Sequence, residues 1–592
     1  MTNEVIRDKL IRIEKDDTIQ NLMAQANARY ILLNTAENRD NFPPYTIKDE
    51  SLNILALYYL NFGCSFAENE NFAEAIEPLE KGASLLEFIH SAESNKNETS
   101  SYYGLIAALS YYVCFQYSKS FILIQKFNAD SIIAKLTHLF LLRDFKNLTQ
   151  EISRILVDNS YEDSYLDINE QELDINEQQK IYEIVIARAL DAFLKYFYSG
   201  DNQLLSKAKL LLHNLKEIAE LESDPGIWWV LRLLILISDG FDQASLWNSL
   251  GPHFDIDDPQ VRGYIQSLVY MHPRGIYELF SAQRKSFDKV LHNENGCIVS
   301  IPTSSGKTRI AELAILDCMI KDAENKVLYI APFRSLAFEV ENSLEPILDN
   351  ANVSVSHLYG GSLYSKLDEK IIEDSDVIIT TPEKAKAILR GNTELIEQIK
   401  LIIIDEGHLL GTNKRLIVNE MFYEELRFYM DQNSGKFLLL SAVLPNSEDL
   451  AKWLTQSDQT VYKDKWRPSD ERLGILEWNG NHVNLNWISK HEERASFNNR
   501  FIVAVPQPLI GRQRTVRTIP GNKNDAVAAT AYKFRTFGSV LIFVGLKASV
   551  FVMARAYYAC LGNDPQDHDW KNKADWRAFE LACLETYGNS MP

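Results

Sequence analysis

Two hydrophobic periods divide this chain near residue 255. Up to about residue 250, apolar residues recur at intervals of three and four, the spacing of helices with one buried face. Leu52 to Ile89 follows that rule, broken at Glu68-Asn69-Glu70-Asn71, and so predicts a pair of helices. Tyr103 to Phe127, Ile132 to Asn147, Ile181 to Tyr198 and Leu204 to Leu221 continue the helical reading. Asp224-Pro225-Gly226 is a turn, and Trp228-Trp229 opens a further helix whose Leu and Ile neighbours favour core over base stacking. An acidic tandem copy, Leu166-Asp-Ile-Asn-Glu-Gln171 and Leu173-Asp-Ile-Asn-Glu-Gln178, predicts a solvated loop or exposed helix.

Past the turn chemistry of Gly251 to Pro259, the pattern becomes short uninterrupted apolar runs between helical stretches. The runs are Cys297–Ile301, Lys326–Ala331, Val353–Leu358, Val377–Thr380, Leu401–Asp405 and Phe437–Ser441. Such runs are strands buried on both faces, and their alternation with helices means a parallel sheet covered on both sides. Residues 466–520 hold β-formers and turns, with Arg512 and Arg514 on one face of any regular strand and Arg517 on the other. A helix to about Phe537, a strand over Ser539–Val544 and a helix to about Leu561 follow. The expected domains are all-α over 1–255, α/β over 256–465, a connecting β-rich segment over 466–520, and the start of a second α/β domain over 521–592.

Candidate chemistry lies at two strand ends. Cys297 to Arg309 reads strand, tight loop, Gly-Lys-Thr, helix, the phosphate-binding P-loop arrangement, with Ile301 in place of its first Gly. The N–H groups of Thr303, Ser304, Ser305 and Gly306 and the positive end of the next helix face one space, where an anion is stabilised. Lys307 would reach the β- and γ-phosphates of ATP, and the Thr308 hydroxyl would ligate Mg²⁺. Gly-Lys-Thr alone recurs by chance, so the second strand end decides. Leu401-Ile-Ile-Ile-Asp405-Glu406-Gly407-His408 sets two acids at the carboxyl end of a buried strand, where open α/β sheets hold ligands. Asp405 would hold Mg²⁺ through water and Glu406 would polarise the attacking water.

In this order the motifs resemble the superfamily 2 DExH helicases. Gln283, in Phe280-Ser-Ala-Gln283, is similar to the adenine-reading glutamine, and Ala331-Pro-Phe-Arg334 to motif Ia. Tyr359-Gly360-Gly361 and Thr380-Thr381-Pro382-Glu383-Lys384 are similar to the GG and Ib strand-tracking motifs. Ser441-Ala442-Val443 stands where Ser-Ala-Thr is usual. Pro302 to Thr308, Leu444-Pro445-Asn446 and Trp466-Arg467-Pro468 resemble the superkiller-like branch. The resemblance implies a RecA-like P-loop motor with ATP and Mg²⁺ as cofactors, and Lys307, Asp405, Glu406, His408 and Ser441 as its catalytic group. It also implies a single nucleic-acid strand, DNA more than RNA, drawn over Arg334, Gly360, Gly361, Thr381, Pro382 and Glu383. Val443 lacks the hydroxyl that the family uses to couple hydrolysis to movement, so a nucleotide-binding scaffold with a degenerate motor is the alternative.

A RecA-like domain takes about 150–200 residues, and residues 521–592 are far fewer. They hold a motif IV candidate at Phe543-Val544 and nothing resembling motifs V and VI, where the family keeps its arginine finger. The expectation is an incomplete second RecA-like domain: a fragment, or a chain completed by a partner, that binds ATP but turns it over slowly alone. Tyr59, Phe62-Gly63, Phe66, Ala75, Leu79 and Gly82 resemble one tetratricopeptide repeat. A helical region appended to such a motor resembles the helicase subunits of bacterial antiphage systems such as Hachiman. That implies a protein partner, such as a nuclease, docked on those helices, with RNA processing or DNA repair as the alternative settings.

Composition changes this picture in few places. At 592 residues, three or four domains fit, each able to bury its own core. The 81 acidic against 61 basic residues, net −20, argue against a broad basic nucleic-acid surface and for a local, salt-sensitive track. No apolar run has the length of a membrane span and the N-terminus has no signal-peptide pattern, which predicts no membrane partner and a cytoplasmic setting. The 6 cysteines include no CxxC pair and point to reduced thiols rather than a metal site.

Overall fold

The structure is a computed structural model that describes residues 2–35, 47–90, 98–125, 129, 131–157, 175–272, 274–358, 364–392, 394–410, 413–442, 444–469, 472–488, 496–506, 518–561 and 577. It divides into two compact units, Met1–Leu10 with Glu50–Asp470, and Ile11–Asp49 with Glu471–Pro592.

In the first unit, Ile47–Glu68 and Phe72–His90 are the predicted helix pair. The helical stretches Tyr103–Phe127 and Ile132–Asn147 are each divided between two helices: Glu98–Val113 and Tyr117–Gln125, then Ile132–Leu141 and Phe145–Val157. Phe115 (φ 65°) and Arg143 (φ 59°) take the left-handed conformation. Behind them, the N–H groups of Gln116 and Asp144 return to Tyr111 O (2.8 Å) and Leu139 O (3.1 Å). This is the usual helix stop of a left-handed residue followed by a long backward hydrogen bond. Glycine normally marks it, so a Phe and an Arg there gave no warning. Helix Pro225–Ala244 carries Trp228 and Trp229 edge-to-face (5.3 Å), with the Arg232 guanidinium 5.0 and 5.5 Å from their ring centres; both rings are half-buried, not in the core as expected. Of the acidic tandem copy, only residues from Ile175 are described, as the start of helix Ile175–Ser199.

The α/β part of this unit has seven strands: β1 Gly296–Ser300, β2 Lys326–Ile330, β3 Val355–His357, β4 Val377–Thr380, β5 Ile399–Ile404, β6 Lys436–Ser441 and β7 Val461–Lys463. They lie in the order β3-β4-β2-β5-β6-β1-β7, every pair parallel. Ile298, Leu328, Ile378, Ile402 and Leu439 are buried at the sheet's centre. This is the RecA-like sheet that the continuous apolar runs predict.

The second unit has an antiparallel sheet of β8 Leu473–Trp478, β9 His482–Ile488 and β10 Ser496–Val503. Helix Asp17–Thr35 packs on it: Ser496 Oγ donates to Ala24 O (3.2 Å) and Asn498 Nδ2 to Ala28 O (3.0 Å). Strands Val505–Pro506 and Thr518–Ile519 pair antiparallel, and helices Lys523–Phe534 and Lys547–Leu561 follow. The strand expected over Ser539–Val544 is not formed among the described residues, and Leu541 and Phe543 are 92 % and 90 % exposed. β-forming side chains favour extended backbone, but a strand also needs a neighbour to take its N–H and C=O groups. Arg512, Arg514 and Arg517 lie outside the described residues, as do Gly360, Gly361 and Val443. No helix among those described is long and apolar enough to cross a membrane.

Candidate active site

Because all seven strands are parallel, their carboxyl ends share one rim. The strand order sorts the motifs along it. β4 and β2 lead into Thr381 and Arg334, β5 into Asp405, β6 ends at Ser441, and β1 feeds the P-loop. The strand-tracking candidates therefore occupy one half of the rim and the nucleotide candidates the other.

The loop after β1 is anchored by the Ile301 N–H on Ser441 O (3.1 Å) and turns through Ser304 (φ 67°) and Gly306 (φ 80°). The left-handed backbone at 306 favours glycine, and a Cβ there would also displace the Gln283 amide, whose Nε2 would lie 2.0 Å away. Gln283 instead donates to Gly306 O (3.1 Å), and its Oε1 accepts the Phe280 N–H (2.8 Å). Ser305 is fully buried and donates to Trp466 O (2.9 Å), while Thr303 and Ser304 are exposed. Helix Lys307–Lys321 begins immediately after, with no side-chain cap on its first N–H groups.

Lys307 Nζ is buried without a hydrogen-bond acceptor, and its nearest anion is Glu406 Oε2 at 3.9 Å. That oxygen is itself buried and unsatisfied; His408 Nδ1 lies 3.2 Å away but out of hydrogen-bond alignment. Buried charges without hydrogen bonds are costly. At the mouth of an amide-lined loop, this ammonium fits the phosphates of ATP.

Asp405 accepts the Tyr329 hydroxyl on Oδ2 (2.8 Å) and the Glu406 N–H on Oδ1 (2.8 Å). Burial nevertheless pushes its pKa above the ordinary carboxylate value, and those hydrogen bonds only partly offset it. A divalent cation shared with Thr308, in the first turn of the helix, would favour the ionised form. Glu406 stands at the strand end in a left-handed turn (φ 52°), and His408 Nδ1 reaches Ser441 Oγ at 3.3 Å. The structure thus brings together Gln283, Ser305, Gly306, Lys307, Asp405, Glu406, His408 and Ser441.

On the other half of the rim, Arg334 opens helix Arg334–Leu348 with its side chain exposed. Thr381 is the N-cap and Pro382 the first residue of helix Pro382–Gly391. Glu383 is held by Arg415 Nε (2.9 Å), whose Nη2 donates to Pro332 O (3.3 Å) and whose guanidinium lies 5.8 Å from the Phe333 ring centre. Arg415 joins the segments after β2, β4 and β5. Sequence reading missed it, and a lone Arg in a charged helix start offers no signal.

Residues 280–450 match the DEAD/DEAH box helicase family. This is a superfamily 2 helicase domain. Over 583 residues, 98 % of this chain, the sequence is 39 % identical to the Hachiman protein HamB of Bacillus cereus, covering 51 % of that protein. The ATP-dependent DNA helicase Hel308 of Pyrococcus horikoshii is 31 % identical over 203 residues, 34 % of this chain and 27 % of its own. The chain thus spans about half the length of HamB and less of Hel308. A crystal structure of the DUF1998 helicase MrfA bound to DNA superposes on 34 % of this chain and 29 % of its own, at 26 % identity and a TM-score of 0.30. In this chain the helicase domain is preceded by the helical region that also aligns with HamB.

Proposed function

We propose that this chain is the ATP-dependent DExH motor of an antiphage system of the Hachiman kind. It translocates on single-stranded DNA and acts with a nuclease partner docked on its N-terminal helices. The observation that carries this reading is Lys307 Nζ, buried and without an acceptor at the mouth of the P-loop. Lys307 grips the β- and γ-phosphates, Thr308 and Asp405 would hold Mg²⁺, and Glu406 orients the attacking water, with His408 held beside it on Ser441. Bound ATP supplies the phosphoryl group, and catalysis by these side chains is positioning and charge stabilisation. The name of HamB supports the defence setting, and that of Hel308 supports DNA. Val443, in place of the usual Thr, favours a second reading, a nucleotide-binding scaffold with a degenerate motor.

Phosphate release separates the two. Turnover by these 592 residues alone is expected to be slow. Joined to the part of HamB that they do not match, they should gain turnover stimulated by single-stranded DNA more than by RNA. ATP binding without any such turnover would select the scaffold. For the strand track, Arg334→Ala should lower the salt dependence of single-strand binding by about one phosphate contact. An unchanged slope and affinity in a salt titration would move the track elsewhere.

A further inference from the structure

The turn between helices Glu98–Val113 and Tyr117–Gln125 reaches the loop side of the helicase domain, within the same compact unit. The Tyr117 ring stacks on Phe280 (centres 5.3 Å apart, planes 22°), and Phe280 packs against Trp466 (5.0 Å). The next residue, Ser118, donates its N–H to Pro468 O (3.2 Å). Phe280 is the N-cap of helix Ser281–His292, and Gln283 ties its N–H to the P-loop carbonyl of Gly306. Trp466 is tied to the same loop through Ser305.

Two residues before Phe280 lies Glu278, buried in the protein interior. Its carboxylate accepts the Tyr112 hydroxyl, Arg143 Nη2 (2.9 Å) and, more distantly, the Tyr117 hydroxyl (3.5 Å). All three partners come from the N-terminal helices. Tyr117, Phe280 and Trp466 are each only half-buried, so the aromatic wall they form beside the P-loop stays partly open. A purine offers such a wall a flat face.

We propose that Tyr117 is a positioning residue for the base of the bound nucleotide. It holds Phe280, and through Phe280 the Gln283 amide, so that the N-terminal helical region sets affinity for the base while Lys307 grips the phosphates. This rests on the ATP reading above.

The test compares a fluorescent ATP analogue with inorganic tripolyphosphate, which has the phosphates and no base, on the whole chain. Tyr117→Leu keeps bulk but not the flat ring. It should weaken the analogue about tenfold, the scale of one aromatic contact, and leave tripolyphosphate within about twofold. Tyr117→Phe should bind both as wild type does. The proposal is overturned if Tyr117→Leu binds both ligands normally, loses both in parallel, or is matched by Tyr117→Phe. Lys307→Ala should lose both ligands. If wild type binds neither, or Lys307→Ala retains both, the nucleotide reading itself falls and takes this proposal with it.

Discussion

Lys307→Ala is expected to weaken ATP binding by about two orders of magnitude or more, measured by calorimetry on the purified chain. A charge-assisted hydrogen bond to an ionised group contributes about 1.5–3 kcal/mol, and this ammonium would serve two phosphates at once. Its surroundings sharpen the expectation. The side chain is only 13 % exposed and has no acceptor, and the carboxylate 3.9 Å away is also unsatisfied. In the variant, Glu406 would face the phosphates with no cation between them, so repulsion adds to the lost contact. The fold should not suffer, because Lys307 closes no hydrogen bond that the protein needs. Equal ATP affinity for wild type and variant would remove the nucleotide from this loop.

What could be read beforehand follows from which interactions are local. The strands of the parallel sheet declare themselves because both faces are buried, as at Ile402 and Leu439, so each is a continuous apolar run. The P-loop and the Asp405-Glu406 pair were legible because the chemistry fixes residue type and spacing over a few positions. Helix stops at Phe115 and Arg143 were not, because a left-handed bulky residue leaves no compositional trace. Nor was the pairing of helix Asp17–Thr35 with β10, which joins Ala24 to Ser496 across most of the chain. The extended run at Ser539–Val544 shows the opposite error: strong local propensity predicted a strand for which the described residues offer no partner. Arg415 and Tyr117 belong to the same class as the helix–sheet pairing. Each acquires its role only when distant segments meet, at Glu383 and Pro332 for one and at Phe280 for the other.

Arg143→Ala is expected to destabilise the unit that contains it by about 3–5 kcal/mol near neutral pH, the usual cost of leaving one member of a buried ion pair uncompensated. Arg143 and Glu278 are 16 % and 4 % exposed at their side chains, and their 2.9 Å contact is buttressed by the Arg143 guanidinium 4.9 Å from the Tyr277 ring centre. The deficit should depend on pH in a definite direction. Burial raises the Glu278 pKa above its ordinary 4.5, and the Arg143 charge and the Tyr112 hydroxyl pull it back. A carboxyl with a raised folded pKa gives stability that is present below its unfolded value and lost as pH rises through its folded value. Without Arg143 the folded pKa rises further, so the loss spreads over a wider interval above 4.5. Urea unfolding should therefore show a larger deficit at pH 7.5 than at pH 5, because protonation of Glu278 as the pH falls removes the need for a counter-charge. Pairing the change with Glu278→Gln should restore much of the loss, since the double variant buries no charge. A deficit that is the same at both pH values, and unrelieved in the double variant, would place the energy of this junction in its packing and not in the ion pair.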